Sequence, residues 1–447
     1  MTTPLELLRL RLTMGPKSGT QMARELGLSQ PTVSRALAAM GQEVMQIGAK
    51  KNSRYVLRDR SRGFADVPVF QVDGQGQLQP LGTLTPVRTD GFVFTPTNGP
   101  QVHSAGVPWW LLDMLPQGYL GRAYAARHAA SLGLPDALNT WSDSHAIWAL
   151  LAHGHDMVGH LLLGNLARDT FIALPEPSAV ANDNKPAAYA ARALAASQGD
   201  TPGSSAGGEQ PKFTAYAQTP GGASHVLVKF TEPLESPVSQ RWRDLLLAEH
   251  LALTTLRDAG VAAASSALLN HHGQRFLELA RFDRTGAMGR HAVVSLRALD
   301  AEFVGDAHQP WPVIVQTLAS LGVVTREAAE RTGLLWAFGM LMGNADMHAG
   351  NLSFVSDTGR PFQLAPAYDM CPMAFAPSSS GKLNNAAPHL NLHACVRNDV
   401  WRQALAMAKP YLESLQSSPE FSPDFAECIA VLAGHLDAAK LQIQRLA

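Results

Sequence analysis

Cysteine is scarce in this chain of 447 residues, with only Cys371, Cys395 and Cys428. They stand far apart without C-x-x-C spacing, which argues against a disulfide framework or a cysteine-rich zinc site. No window approaches the roughly 18 uninterrupted apolar residues that a membrane-spanning helix needs. The opening residues MTTPLELLRLRL set Glu6, Arg9 and Arg11 within their apolar pattern, unlike a secretory signal. Internal repeats are lacking as well. An excess of one charge is also missing, since the net charge is −1, so the molecule as a whole is not a polyanion binder. What is present is an ordinary apolar fraction of 46%. The length suggests two or three domains. A cytoplasmic protein without a membrane partner is expected.

Charge is uneven, however. Residues 1–62 hold eleven basic side chains against four acidic ones, including Lys50 and Lys51. Within them, SGTQMARELGLSQPTVSRALAAM (18–40) reads as two short helices around a turn at Gly27, which can adopt a left-handed conformation. Ser29 is placed to cap the second helix and Pro31 is tolerated in its first turn. Val33, Ala36, Leu37 and Met40 form an inward face, leaving Gln30, Thr32, Ser34 and Arg35 outward, where a recognition helix meets DNA. VMQIGAKKNSRYVL (44–57) alternates around a basic tip like the strands of a wing. A winged helix-turn-helix that binds DNA is expected, with a helical oligomerisation module as the bland alternative.

The middle of the chain carries little chemistry. Residues 64–100 read as short strands joined by turns, and 106–134 and 142–154 as helices. Trp109 and Trp110 are expected in packing, and 172–188 reads as a linker or surface loop.

Three later segments belong together. GSSAGGEQPKFTAY (203–216) is glycine-rich, and Gly207 and Gly208 would permit close approach to a ligand. SHVLVKFTEP (224–233) is an apolar strand bearing Lys229, costly there unless its ammonium meets an anion. Glu249, on the helix that follows, is a candidate partner. GNADMHAGN (343–351) then places Asp346 five residues before Asn351, and QLAPAYDM (363–370) supplies Asp369. A phosphoryl-transfer site needs a cationic clamp, Mg2+ held by a carboxylate and an amide, and a carboxylate to orient the attacking hydroxyl. Lys229, Asn351 with Asp369, and Asp346 fill those roles in protein-kinase order. His348 is expected to orient the loop by hydrogen bonding, with proton transfer the lesser role.

The segments SSAGGEQPKF, HVLVKF, AEHLAL, LELARFDR, GNADMHAGN and LAPAYDM together resemble the HipA family of bacterial serine/threonine kinases, the toxins of HipBA toxin–antitoxin modules. The resemblance runs from about 203 to 370 and is extended from about 65 to the C-terminus. It implies an α+β, bilobal protein-kinase-like fold, ATP and Mg2+ as cofactors, Asp346 as catalytic base, Asn351 and Asp369 as Mg2+ ligands, and Lys229 as phosphate clamp. FLELARFDR (276–284) would be the hinge, where backbone groups from Leu279 to Phe282 meet adenine. Ser204 and Ser205 match the serine that such kinases autophosphorylate to shut off ATP binding. A fused DNA-binding domain departs from the usual HipA protein and is similar to the YjjJ-type members. Ala280 stands where many relatives carry Glu.

The expected organisation is a DNA-binding domain at 1–62, an N-subdomain and ATP-binding lobe at 63–284, and a helical C-lobe with the catalytic loop at 285–447. The resemblance implies a protein substrate, for which aminoacyl-tRNA synthetases are the associated class, though no residue here selects one. Operator half-sites would suit a homodimer. The competing readings are a DNA-binding regulator with a nucleotide-sensing, catalytically weak kinase domain, and a DNA-damaging nuclease.

Overall fold

The computed structural model describes residues 3–49, 52–197 and 210–445. Lys50, Lys51, Ser204, Ser205, Gly207 and Gly208 lie outside them.

Three helices (Pro4–Leu12, Gly19–Leu26 and Gln30–Met40) and a hairpin of strands Val44–Ile47 and Arg54–Leu57 open the chain. Local chemistry sets their ends. Thr3 with Glu6, and Ser18 with Gln21, form reciprocal capping boxes. Gly27 ends the second helix at φ 63°, and the Ser29 hydroxyl accepts from the Thr32 amide to start the third. Leu8, Leu12, Met22, Val33, Leu37 and Met40 close over one another as a small core. Lys17 adds a bridge to Tyr55 at the hairpin's edge.

This unit does not stop cleanly at its expected border. Ile47 and Val56 of the hairpin share a buried cluster with Val87 and Val93 of the following sheet. Below it, the Arg62 side chain is 5% exposed, donates to Asp59 at 3.2 Å and to the Val87 carbonyl at 2.7 Å, and lies over the Phe92 ring.

The middle region is a five-stranded antiparallel sheet in the order Val102–Ser104, Gly91–Pro96, Leu78–Val87, Val67–Val72, Leu161–Leu163. Helices Gly118–Leu132, Asp143–His153 and Gly164–Ala173 accompany it. The segment 106–134, expected to be helical throughout, has a 3-10 turn at Trp109–Met114 before the helix at Gly118. Pro116 lies in the break and lacks the amide a continuous helix would use. Trp109 packs edge-on against Phe303 and Phe362, and Trp110 against Phe94, so both serve packing. The linker expected at 172–188 is shorter: a helix begins at Lys185 and runs to Ser197. Its alanine-rich sequence is a good helix former, and Tyr189, Ala193 and Ala196 bury it against the next sheet.

That sheet has four antiparallel strands in the order Ser266–His271, Gln274–Ala280, Gly222–Phe230, Lys212–Thr219. Alternation along Gly222–Phe230 turns Val226, Val228 and Phe230 toward the helix Lys185–Ser197. Leu227 and Lys229 therefore face the opposite side, where the long helix Pro237–Asp258 lies. The remainder is mostly helical (Leu296–Phe303, Trp311–Ser320, Arg326–Leu341, Asn398–Ser417 and Ala426–Gln444), with a small sheet of Val293–Ser295, Ser353–Val355 and Gln363–Leu364. The largest buried cluster joins these helices to Pro237–Asp258 and to Leu277 and Leu279, so both lobes share one core. Among the described residues no helix is long and apolar enough to cross a membrane.

Candidate active site

Lys229 sits deep in the four-stranded sheet, 2% exposed, and Glu249 is fully buried on the facing helix. The Lys229 ammonium donates to both Glu249 carboxylate oxygens, at 2.7 and 2.8 Å, and to Asp369. The pair expected from sequence is therefore made, and Lys229 also reaches the carboxylate from the distant QLAPAYDM segment. Burial works against the Lys229 charge, but Asp369 and then Glu249 outweigh it and hold its pKa well above the ordinary lysine value. Burial likewise opposes ionisation of Asp369, yet Lys229 and then Lys212 keep its pKa below the ordinary aspartate value. For Glu249 burial wins over Lys229, and its pKa is raised. Glu249 lines no part of the cleft. Expected among the ATP-binding residues, it meets that cleft only through its contact with Lys229.

The helix Arg326–Leu341, capped by Thr325, delivers the chain to Gly343 at φ 82°, where GNADMHAGN begins. Most of that segment's polar groups hold it in shape. Asn344, 3% exposed, donates to the Asp369 carbonyl at 3.1 Å and accepts from the Asp346 amide at 3.0 Å. Met347 lies on Gly339, where any Cβ would fall 2.4 Å from its sulfur. The His348 ring accepts from the Gly350 amide at 3.0 Å, and its carbonyl accepts from the Trp311 indole at 3.0 Å. Asn351 donates through its amide nitrogen to the Asp346 carbonyl at 2.8 Å. The Asp346 carboxylate remains half-exposed, 3.9 Å from the His348 Nε2. Burial at the cleft wall, together with the Asp369 charge, raises its pKa, against the lowering effects of His348, Asn351 and Lys229.

Asp346, His348, Asn351 and Asp369 line one cavity of about 460 Å³ with Leu279, Ala280 and Phe282. An adjoining cavity of about 350 Å³ is lined by Lys229, Lys212, Asp346, Asn351 and Asp369. Leu279 and Phe282 are thus brought to the polar residues across the chain, and the Phe282 ring lies 5.6 Å from that of Tyr368. The Ala280 and Arg281 amides are already engaged, by the carbonyls of Ser265 and His225. No cluster of three or more His, Cys, Asp or Glu able to cage a metal exists among the described residues.

Several residues escaped sequence reasoning. Lys212 is directly opposite Lys229 across the strand pair and lowers the Asp369 pKa. Its signal was the QPK end of the glycine-rich segment. Asn344 lay in view but looked like one more polar residue. Asp113 comes from the middle region and accepts from the Ser295 amide and hydroxyl, both at 2.6 Å. No local pattern announces that contact.

Comparison with known proteins gives the family and the fold. Residues 64–172 match the family described as YjjJ-like toxin, middle domain, and residues 204–421 the HipA-like C-terminal domain. The Toxin YjjJ of Escherichia coli (strain K12) is 39% identical over 416 residues, 93% of each chain. The chain belongs to the HipA-like toxin family, in its YjjJ group. A chain of the Shewanella oneidensis MR-1 toxin–antitoxin complex of HipA, HipB and operator DNA superposes with a TM-score of 0.54. Identity there is 16%, over 84% of this chain and 97% of that one, which shows a shared fold. The bilobal α+β architecture is therefore that of HipA-like proteins.

At the N-terminus, Gln30, Ser34 and Arg35 are exposed, as a recognition surface requires. Thr32 is only half-exposed, and its hydroxyl is 2.8 Å from that of Ser29. Several of the basic side chains are paired internally: Arg9 with Glu43, Lys17 with Glu25, Arg58 with Asp66 and Arg62 with Asp59. The unpaired positive field is smaller than the bare count suggests.

Proposed function

We propose that this chain is an ATP- and Mg2+-dependent serine/threonine protein kinase of the HipA toxin type, with an N-terminal unit that binds DNA. The carrying observation is the Lys229 ammonium held between Glu249 and Asp369 beside a cavity that also presents Asp346 and Asn351. A buried lysine oriented by a buried glutamate is a fixed point charge suited to phosphate oxygens. Asp369 and Asn351 would hold Mg2+. One carboxylate and one amide suit a cation that keeps water and phosphate oxygens as its other ligands. The Asn351 hydrogen bond to the Asp346 carbonyl fixes that amide's orientation. Mg2+, when bound, would neutralise charge on the transferred phosphoryl group.

Asp346 would take the proton of the substrate hydroxyl as its oxygen attacks the γ-phosphorus and the bond from that phosphorus to the bridging oxygen breaks, releasing ADP. Its raised pKa makes it a better acceptor than an ordinary aspartate. His348 keeps the loop in register through Gly350. Leu279 and Phe282 would sandwich adenine against the cleft, with backbone groups of 279–282 reading its edge. Ser204 or Ser205 would be the autophosphorylated serine. A cellular protein in the cytoplasm, with an aminoacyl-tRNA synthetase as the family-based candidate, would be the substrate.

DNA binding would use Gln30, Ser34 and Arg35, with Thr32 as a helix-end contact and Lys50 and Lys51 at the wing tip, as a homodimer on two half-sites. One observation favours the second reading, a nucleotide-sensing regulator: the shared cluster of Ile47, Val56, Val87 and Val93 joins the DNA-reading unit to the rest. Titration calorimetry with ATP separates these readings from a third, non-nucleotide function. Binding that strengthens with Mg2+ and is lost in Asp369→Asn supports a nucleotide site. Mg2+-independent binding, or none, contradicts it.

A further inference from the structure

A second cavity of about 460 Å³ lies where the middle region meets the nucleotide lobe. Its walls include Tyr124, His128, His153, Phe171, Leu174 and Arg290. We infer that it binds a small organic monoanion, one carboxylate on a flat apolar body, as an effector separate from the nucleotide. The inference goes beyond the proposed kinase activity and does not depend on it.

Three guanidiniums, Arg281, Arg284 and Arg290, meet two carboxylates in one cluster, where Asp283 is buried and the Asp156 side chain is 39% exposed. Asp283 takes Arg281 at 2.8 Å and Arg284 at 2.7 Å, and Asp156 takes Arg284 at 2.8 Å with Arg281 at 3.9 Å. Arg290, only 4% exposed, is left without a carboxylate of its own. It donates one nitrogen to the His155 carbonyl and stacks on Phe171 at 4.8 Å, while its other terminal nitrogen is buried without a hydrogen-bond partner among the described residues. The His155 Nδ1 is likewise buried without a partner. A buried cation without a counterion is costly, and the cost falls when an anion arrives. Burial, and then the charge of Arg284, pull the Arg290 pKa down to about 9.

The rest of the cavity sets the shape and charge of the occupant. His128 and His153 lie with ring centroids 4.4 Å apart, and the Tyr124 hydroxyl is 2.8 Å from the His153 Nδ1. Burial lowers the pKa of His128, His153 and His155, so near neutral pH they offer flat uncharged faces and not further cations. Arg127 stands exposed at the rim. One unmatched buried charge suits a monoanion better than a phosphate, which carries more than one charge at pH 7. Flat rings and aliphatic walls suit an apolar body.

The position gives the occupant a lever on the cleft. Arg281, Asp283 and Val158 line the nucleotide cavity, while Asp156, Met157 and Arg284 line this one. The salt-bridge cluster is the shared wall, one residue beyond Phe282 of the expected hinge.

The test is calorimetry and thermal melting of the full chain with salicylate, indole-3-carboxylate and octanoate, and with salicylamide as the uncharged control. Saturable binding of at least one acid is expected, with salicylamide at least about tenfold weaker. His128→Trp fills the cavity while leaving the salt-bridge cluster untouched, and should weaken acid binding by about tenfold or more. Arg290→Gln should do the same. Hydrogen exchange along Gln274–Ala280 should slow with the acid in wild type but not in His128→Trp. No saturable binding by any of the three acids would overturn the inference, as would equal binding of salicylamide or affinity unchanged in His128→Trp. Displacement of the acid by ATP would place it in the cleft and also overturn it, whereas a chain that binds the acid but no ATP leaves this site standing and removes the kinase reading instead.

Discussion

The candidate cleft and the N-terminal unit both looked electrostatically marked in the sequence, yet the fold treats their charges differently. In the cleft, Lys229, Asp346, Asn351 and Asp369 come from three separate segments and meet at one cavity complex. In the first 62 residues, four of the basic side chains are engaged with neighbouring carboxylates. Spacing constrained by chemistry survived folding, whereas a simple tally of charge did not separate available cations from paired ones. Residues that meet in one cavity were better anticipated from the roles a reaction needs than from counting.

The largest effect that would break this contrast is in the cleft. Asp346→Ala should reduce phosphoryl transfer by about 100- to 10,000-fold, with melting temperature unchanged because the side chain is half-exposed. Single-turnover rates with a fixed acceptor would measure it, and a loss below tenfold would remove Asp346 from the chemistry. Next comes the buried pair. Lys229→Met leaves Glu249 ionisable with no counterion at 0% exposure and should destabilise the fold by about 3–5 kcal/mol. Adding Glu249→Leu should restore much of that stability in urea unfolding but none of the nucleotide binding. Equal stability of the single and double variants would mean the pair is not the structural unit described.

On the other side of the comparison, Arg35 and Arg58 differ in availability though not in charge. Arg35→Ala should weaken DNA binding and reduce the slope of log affinity against log salt by about 1. Arg58→Ala, whose partner is Asp66 at 2.7 Å, should leave the slope unchanged. Equal effects would show that pairing does not remove a cation from DNA contact. The smallest effect is expected at His348. His348→Ala loses the acceptor for the Gly350 amide and should slow transfer much less than Asp346→Ala. It also removes a charge that lowers the Asp346 pKa. The rate should rise with pH through a midpoint above about 4, the ordinary aspartate value, and the variant's midpoint should lie higher still. A midpoint shifted downward would reverse the assigned sign.

The sequence made the cleft unusually legible because each proposed role there demands a particular residue type. Lys229 on an apolar strand, Glu249 on the next helix and the Asp346 to Asn351 spacing could be read without any neighbour in view. Two helix ends were equally plain: Gly27 and Ser29 stand where the caps form. What escaped were contacts between distant elements. Asp113 meeting Ser295, and Val56 meeting Val93, depend on how separate regions dock, which no local period encodes. The helix at Lys185 was hidden because the proline- and asparagine-rich approach masked an alanine-rich run. Arg290 gave no signal at all, since a lone arginine shows its missing partner only once its surroundings are packed.

The most direct test of the central claim is incubation of the purified chain with γ-labelled ATP and Mg2+, beside Asp346→Ala, followed by mapping of labelled residues. Label is expected in the wild type alone, on Ser204 or Ser205. ATP binding without any transfer would contradict the kinase claim and leave a nucleotide-sensing regulator, and label of equal intensity in Asp346→Ala would contradict the assignment of the base.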